Sequence, residues 1–168
     1  SNIQSATTNA TLTVRKVIGL SLQPAAGGAG SGIYAEFNSV NINASTLGNS
    51  NGCLEIGTAS GPVFKVRNNI LANSTAAQSG SAKHYCWITT STTSIGASGS
   101  VSNYNDLYVA NTNGFVGLAN TTDKTAVTDW QGVATNDANS INTNPTFTSS
   151  TDLHVSAAAL NGTADPSY

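Results

Sequence analysis

Short apolar runs in this chain are interrupted by asparagine at recurring places. The clearest case is the segment 66–73, VRNNILAN, in which strand-forming Val, Ile and Leu surround a pair of asparagines. Asparagine is usually depleted in strands, so its presence there needs a structural reason. Closely similar segments are EFNSVNIN at 36–43 and SNYNDLYVAN at 102–111. The recurrence predicts a repeated unit of two short strands with an asparagine at the bend between them.

Alignment of the three segments gives a consistent register. Asn38, Asn69 and Asn105 then lie 31 and 36 residues apart, and Gly-, Ser- and Thr-rich insertions account for the difference. The register also aligns one apolar position in each repeat, namely Val40, Leu71 and Leu107. Constant strands separated by variable loops are typical of a β-solenoid, in which extra residues leave the stack as loops. The alternative is that an asparagine-rich chain produces such matches by chance.

The repeated asparagines predict a ladder of side-chain amides. Identical side chains in stacked parallel strands lie about 4.8 Å apart. The amide of each asparagine can therefore bond to the next one, as in cross-β stacks. Such a ladder avoids the cost of about 1–3 kcal/mol for each buried polar group that lacks a partner. We expect Asn38, Asn69 and Asn105 to form this structural ladder.

The pattern changes after the third repeat. Val127, Trp130 and Ala134 lie on one face of a predicted short helix. Two brief capping strands are expected after it, at 146–148 and 153–155. Three aspartates in this part of the chain fit helix caps and turns: Asp129, Asp137 and Asp152. The predicted fold class is all-β, a parallel β-helix or solenoid closed by a short C-terminal helix and capping strands.

The chain divides into three parts on this interpretation. Residues 1–30 are expected to be N-terminal strands and a loop that continue from a longer parent chain, since the sequence contains no Met. Residues 31–124 are expected to form the β-helix turns. Residues 125–168 are expected to form the C-terminal helix and the capping segment.

Composition narrows the classes of function. Only 8% of the residues are charged, against roughly a quarter in ordinary soluble domains. A weakly charged sequence rich in Thr, Asn and Gly is typical of an extracellular β protein. The six basic residues form no cluster, so nucleic acid is not an expected partner. The sequence also has no apolar run of about 18 residues or more, which excludes a membrane-spanning helix on this criterion.

The last third of the sequence carries motifs of a known family. They are a strand at 105–108, Asp-Trp-Gln at 129–131, Asp-Ala-Asn-Ser-Ile at 137–141, Asn-Pro-Thr-Phe at 144–147 and Asp-Leu-His at 152–154. In this order they resemble right-handed parallel β-helix repeat proteins, which occur in large secreted and cell-surface proteins of gliding and related Gram-negative bacteria. The resemblance implies a right-handed β-helix, export, often by the type IX pathway, and a place as one module of a longer chain.

The two cysteines allow more than one interpretation. Cys53 and Cys86 each open an apolar strand and fall at equivalent positions of successive repeats. A disulfide between them and two buried free thiols both fit this arrangement. The nearby His84 raises the alternative of a nucleophile–base pair, but the buried interpretation is favoured. With neither a CxxC motif nor enough histidines for zinc, we assign no catalytic, cofactor-binding or metal-binding residue.

Four residues form the candidate ligand face: Lys65, Arg67, Tyr104 and Tyr108. Lys65 and Arg67 flank Val66, so they point to the same side of their strand and could face the carboxylate of a glycan. Tyrosine rings could add stacking surfaces for sugars. The alternative for the two basic residues is an ordinary solvated strand face.

Two functions from different classes remain. The first is a non-enzymatic module of a secreted or cell-surface bacterial protein, which presents a rigid surface as a stalk, an adhesin or part of a stacked assembly. The second is a carbohydrate-binding or polysaccharide-degrading domain. Lyases and hydrolases need convergent carboxylates, and Glu36 and Glu55 can share a face without a third acidic residue. The sequence therefore favours the first function.

The expected partners follow from these two functions. They are a polysaccharide or another surface protein, and a second copy of the chain that stacks on an open sheet end, which would otherwise be an aggregation hazard. The loops at 74–83 and 91–100 are where partner contact is expected. No cofactor is expected.

Overall fold

The computed structural model describes residues 2–3, 16–23, 32–44, 49–57, 63–76, 82–90, 98–134 and 137–160. Most of the regular structure in these ranges consists of strands. In chain order they are β1 (Asn2–Ile3), β2 (Ile18–Leu22), β3 (Gly32–Glu36), β4 (Ser39–Ile42), β5 (Asn51–Ile56), β6 (Val63–Arg67), β7 (Ile70–Asn73), β8 (His84–Thr89), β9 (Val101–Asn103), β10 (Asp106–Val109), β11 (Gly114–Ala119) and β12 (Thr122–Lys124). An α-helix, α1 (Val127–Ala134), and a 3-10 turn at Ala158–Leu160 follow.

The strands form three sheets. Sheet A has the order β1-β4-β7-β10, sheet B the order β12-β11-β8-β5-β2, and sheet C the order β3-β6-β9. Successive strands therefore pass from one sheet to the next, and each sheet takes every third strand of the repeated region. Leu71 pairs with Val40 on one side and with Leu107 on the other. This confirms the predicted register of the three apolar positions.

The prediction of a right-handed parallel β-helix closed by a helix and capping strands is wrong. The structure has three sheets with mixed parallel and antiparallel pairing in place of a single solenoid. In sheet B, β12 runs antiparallel to β11, with Ala119 opposite Thr122. The chain reverses there through Asn120, whose φ of 57° is left-handed and is better tolerated by Asn than by most residues. The asparagine repeat indicates which strands stack and contains no information about this reversal.

The predicted short helix is confirmed as α1. Its residue Trp130 is 2% exposed and packs against Trp87, with the ring centroids 5.1 Å apart. Gly117 makes this contact possible, because a Cβ at that position would lie 2.2 Å from the Trp130 ring. The helix is thereby fixed to sheet B and completes the core.

The capping strands expected at 146–148 and 153–155 are not formed as strands. They are reduced to one isolated antiparallel bridge between Phe147 and Val155. A contact of 2.8 Å between the hydroxyls of Thr146 and Ser156 supports the same turn of the chain. Side-chain hydrogen bonds thus replace part of the expected backbone pairing.

The chain pairs with the edge of sheet A at Ile141 and then lies against the outer face of that sheet. Leu107 is buried in the core, so its neighbour Asp106 points to the opposite, outer face. The backbone N–H of Thr143 donates to Asp106 Oδ1 at 2.8 Å. Ile141 forms a parallel bridge with Asp106, so the chain there continues sheet A beyond its edge strand β10. This docking creates the space in which the candidate site lies.

Apolar side chains from all three sheets form one core. Its most deeply buried members include Val40, Ile56, Phe64, Leu71, Trp87, Leu107 and Val116. Within the described ranges, no helix has the length and the apolar character needed to cross a membrane. Of the loops expected to contact partners, residues 77–81 and 91–97 lie outside the described residues.

Candidate functional site

Each connection from sheet C to sheet A is a bend of two residues. The bends join β3 to β4, β6 to β7 and β9 to β10. The first residue of each bend has a left-handed backbone with φ of 56° or 57°: Phe37, Asn68 and Tyr104. The second residue of each bend is one of the repeated asparagines: Asn38, Asn69 and Asn105. The bend thus turns the chain into the next sheet and places an amide at the corner.

The three asparagines hydrogen bond to one another across the strands. Asn38 donates to Asn69 Oδ1 from its Nδ2 and from its backbone N–H, both at 3.1 Å. Asn69 repeats this pattern with Asn105 Oδ1, at 3.0 and 3.1 Å. The Nδ2 of Asn69 also donates to the carbonyl of Ala35 at 2.8 Å. Asn69 and Asn105 are 2% and 1% exposed, so these bonds satisfy groups that would be costly to bury alone.

A carboxylate ends the ladder. The amide donors all point the same way along the stack, so the last amide needs an acceptor. Asn105 Nδ2 donates to Asp137 Oδ1 at 3.1 Å, and Trp130 Nε1 donates to Asp137 Oδ2 at 3.1 Å. A carboxyl group fits this place because each of its two oxygens can accept a hydrogen bond. The sequence analysis gave Asp137 a turn role, and its spacing of 32 residues from Asn105 was the signal that it continues the ladder.

Two of the three left-handed positions carry aromatic residues. A left-handed backbone is unusual for a bulky side chain and common for asparagine. Asn68 is therefore the residue that this geometry favours, whereas Phe37 and Tyr104 are costly there. The Phe37 side chain is 63% exposed, so little burial offsets the cost of its backbone. The hydrogen bonds of the adjacent ladder asparagines hold both aromatic residues in this conformation.

A cavity of about 590 Å³ lies beside the bends. The bends, the outer face of sheet A and the C-terminal segment enclose it. Its lining includes Phe37, Asn68, Ile70, Tyr104, Asp106 and Leu160. Ile70 and Asp106 are register partners on β7 and β10, so they lie side by side at the floor of the cavity.

Asp106 is the only carboxylate among the described residues that line this cavity. The residue is 2% exposed, and its Oδ2 has no hydrogen-bond partner in the described part of the chain. Burial raises the pKa of the Asp106 carboxyl to about 7, although the bond from Thr143 opposes the rise. The carboxyl therefore keeps its proton below about pH 7, and in that form it can donate a hydrogen bond as well as accept one.

The candidate ligand face is distributed over three places. Lys65 and Arg67 lie on β6 in sheet C, Tyr108 lies on β10 in sheet A, and Tyr104 lies at the bend that precedes β10. Arg67 pairs with Glu36, with its Nη2 2.7 Å from Glu36 Oε1. Of the four residues, only Tyr104 lines the cavity.

Lys65 takes part in a cross-strand pair instead of facing the cavity. Its ammonium lies 5.5 Å from the ring centroid of Tyr34, its register partner on β3. The outer face of sheet C therefore carries a cation–π pair beside the Glu36–Arg67 ion pair. These contacts satisfy the basic groups within the protein.

Cys53 and Cys86 are buried free thiols. They lie next to each other on β5 and β8, between the register pairs Gly52–Tyr85 and Leu54–Trp87. Cys53 Sγ donates to the carbonyl of Ala72, and Cys86 Sγ donates to that of Tyr108. Burial raises the pKa of both thiols, which disfavours the reactive thiolate.

A second buried polar cluster was not anticipated from the sequence. Asn73 Nδ2 donates to Asn51 Oδ1 at 2.6 Å, and Asn51 Nδ2 lies 2.9 Å from His84 Nδ1. The Nε2 of His84 has no hydrogen-bond partner within the described ranges, and burial lowers the pKa of this imidazole. His84 thus belongs to a structural cluster, while the thiol of Cys86 contacts the carbonyl of Tyr108.

Most other carboxylates take part in local contacts. Three pair with basic side chains: Glu36 with Arg67, Glu55 with Lys16, and Asp123 with Lys83. Two accept backbone N–H groups in a helix start and a turn: Asp129 and Asp152. Across the described residues, no group of three or more His, Cys, Asp or Glu side chains is arranged to hold a metal ion.

Comparisons of the chain with protein-family models, with curated proteins and with solved structures found no match. The site itself offers several kinds of contact to a ligand. It combines ring surfaces at Phe37 and Tyr104, amide groups at the bends and a buried carboxyl at Asp106. This set is suited to holding a ligand by stacking and hydrogen bonding.

The ladder predicts unequal costs for removing its members. Replacement Asn69→Ala leaves the amide groups of Asn38 and the carbonyl of Ala35 without their partner, so unfolding free energy should fall by about 3 kcal/mol. Asn38→Ala should cost about 1 kcal/mol, because the Asn38 backbone N–H still donates to Asn69 Oδ1. Urea unfolding of both variants measures the difference. Equal losses would contradict a ladder in which Asn69 has more hydrogen-bond partners than Asn38.

The buried carboxyl predicts a stability that falls as pH rises. Because the pKa of Asp106 is about 7 in the native protein and lower when unfolded, the native state binds the extra proton between about pH 4 and pH 7. Asp106→Asn removes this dependence and keeps an acceptor for Thr143. Relative to the wild type, the variant should gain on the order of 3 kcal/mol between about pH 4 and pH 8 in urea unfolding. A pH-independent difference would show that the native carboxyl is already ionised.

Proposed function

We propose that this chain is a non-enzymatic structural or adhesive module of a secreted or cell-surface bacterial protein. One observation carries the proposal. Parallel strands stack in register in all three sheets, and a buried ladder from Asn38 to Asp137 locks the corner between two of them. Such an arrangement holds the outer faces of the sheets rigidly, as a stalk or an adhesive surface requires.

The charge distribution supports a surface made for contact. Only 8% of residues are charged, and several of these charges pair with each other: Lys16 with Glu55, and Arg67 with Glu36. Internal pairing of these charges leaves the sheet faces weakly charged. Weakly charged faces can approach another surface without a large desolvation cost.

Self-stacking is part of the proposal. Among the described strands, β2 and β3 stand at the ends of sheets B and C. An edge strand offers backbone N–H and C=O groups to a further strand. Another part of a longer parent chain or a second copy can pair there and extend the stack.

Export is proposed on the basis of composition and resemblance. The sequence is low in charge and rich in Thr, Asn and Gly, and its C-terminal motifs resemble secreted bacterial repeat proteins, often exported by the type IX pathway. The buried thiols are compatible with this location, because Cys53 and Cys86 are both 0% exposed and hydrogen bonded to backbone carbonyls. They are therefore shielded from oxidants.

The polysaccharide-degrading alternative has less support. A hydrolase or lyase needs a pair of carboxylates, or a carboxylate and a base, facing one cleft. Asp106 is the only carboxylate among the described residues that line the cavity beside the bends, and Glu36 is paired with Arg67. These contacts favour a binding or structural role.

Two readouts test the proposed function. Antibodies against the chain should label intact cells of the organism that makes it, because the module is expected on the outer surface. The purified chain should release neither reducing ends nor unsaturated ends from a panel of bacterial and plant polysaccharides.

The variants Lys65→Ala and Arg67→Ala serve as matched controls in the degradation assay. Product that appears with the wild type and disappears with either variant would contradict a non-enzymatic module. Labelling only after the cells are permeabilised would contradict its location at the surface. Circular dichroism of both variants checks that a loss of product does not come from a loss of folding.

A further inference from the structure

We propose that the cavity beside the bends binds a short neutral stretch of a glycan, with Phe37 and Tyr104 as stacking platforms for alternate sugar units and Asp106 as a hydrogen-bonding group at the cavity floor. This binding function goes beyond the structural role proposed above and is independent of it. The structural role does not require a sugar to bind in the cavity, so the two proposals can fail separately.

The backbone at the two aromatic residues is the first argument. Phe37 and Tyr104 have φ of 57° and 56°, in a region where a bulky residue is strained. Asn68 occupies the equivalent position of the middle bend. The residue type that a left-handed backbone favours therefore does occur at one of the three bends. Strained residues of this kind concentrate at active sites and ligand sites, where the surrounding structure holds them in place. The ring of Phe37 is 63% exposed, so it is accessible to a ligand.

The spacing of the aromatic residues is the second argument. Phe37 follows Glu36 and Tyr104 follows Asn103, and both of these neighbours flank Arg67 in the register of sheet C. The two positions are therefore two strands apart, or about 10 Å along the stack. This distance is close to the length of two sugar units in an extended polysaccharide. Aromatic rings stack on the apolar faces of sugars, so the pair can contact alternate units of one chain.

The floor of the cavity is the third argument. Asp106 points to the outer face of sheet A, and its Oδ2 is buried with no hydrogen-bond partner among the described residues. A buried polar atom without a partner is costly, so a rotation of the carboxyl that let Oδ2 meet a ligand hydroxyl would be favourable. A protonated or an ionised carboxyl can both bond to a sugar hydroxyl. Asn68 lines the same cavity, and its side-chain amide offers further bonds.

The charge of the lining selects a neutral ligand. Among the described residues that line the cavity, none is Lys, Arg or His, and Asp106 is acidic. A glycan that carries carboxylates would find no cation there and would face a carboxyl group. The basic residues of the candidate ligand face, Lys65 and Arg67, lie on β6, outside the cavity.

Titration of the isotopically labelled chain with soluble oligosaccharides tests the proposal. The neutral probes are cello-, xylo-, manno-, laminari- and malto-oligosaccharides, and oligogalacturonate is the acidic control. At least one neutral probe should shift the NMR signals of Tyr104, Asn68 and the Asp106 carboxyl, with a Kd of about 1 mM or below. Oligogalacturonate should leave these signals unchanged.

A double variant, Phe37→Asn with Tyr104→Asn, separates binding from folding. Asparagine suits the left-handed backbone, so the melting temperature should stay the same or rise. The affinity for the neutral probe should fall at least about tenfold, since both stacking platforms are gone. Tyr34→Asn is the matched control, because Tyr34 is 59% exposed on sheet C and lies outside the cavity. Its affinity should equal that of the wild type.

Four results would overturn the proposal. None of the neutral probes shifts the cavity signals, or oligogalacturonate alone shifts them. The double variant binds as tightly as the wild type while remaining folded. Tyr34→Asn loses as much affinity as the double variant does, which would place the sugar on sheet C.

Discussion

Side-chain amides buried at a bend of the chain must find partners, and the ladder from Asn38 to Asp137 supplies them. The amide oxygens of Asn69 and Asn105 each accept both the backbone N–H and the Nδ2 of the previous asparagine, so these bonds also fix the distance between neighbouring strands. Since the amide donors point one way, the stack requires an acceptor at its end, and Asp137 provides it. The indole of Trp130 bonds to the same carboxylate, which ties α1 and the core to the ladder. The corner, the sheets and the helix therefore depend on one continuous set of hydrogen bonds.

The same set of bonds makes the strained aromatic residues possible. A left-handed backbone at Phe37 or Tyr104 would relax in a flexible loop, but the following asparagine is held in the ladder and keeps the bend in place. The rigid corner thus presents two rings at a fixed separation. The docked C-terminal segment then encloses the space above Asp106 and converts an open sheet face into a cavity. The two-residue bend therefore has two consequences: the ladder hydrogen bonds at its second residue, and the strained backbone at Phe37 and Tyr104.

The sequence predicted those features that depend on pattern and missed those that depend on docking. The alignment of Val40 with Leu71 and the helical face around Trp130 are periodic, and periodicity reports burial directly. The antiparallel return of β12 follows from the backbone at Asn120, and the sequence there carries no strong turn signal. The strain at Tyr104 was equally invisible, because aromatic residues rarely adopt a left-handed backbone. The burial of Asp106 depends on the contact of Thr143 with this residue, which no pattern in the sequence indicates.

Exchange of the side-chain amide hydrogens, followed by NMR, tests the ladder most directly. The Nδ2 hydrogens of Asn69 donate to Ala35 and Asn105, so they should exchange orders of magnitude more slowly than those of the exposed Asn139. The Nδ2 hydrogens of Asn105, which donate to Val66 and Asp137, should be protected to a similar degree. If the amides of Asn69 and Asn105 exchange as fast as that of Asn139, the ladder does not hold the corner, and the account given above is wrong.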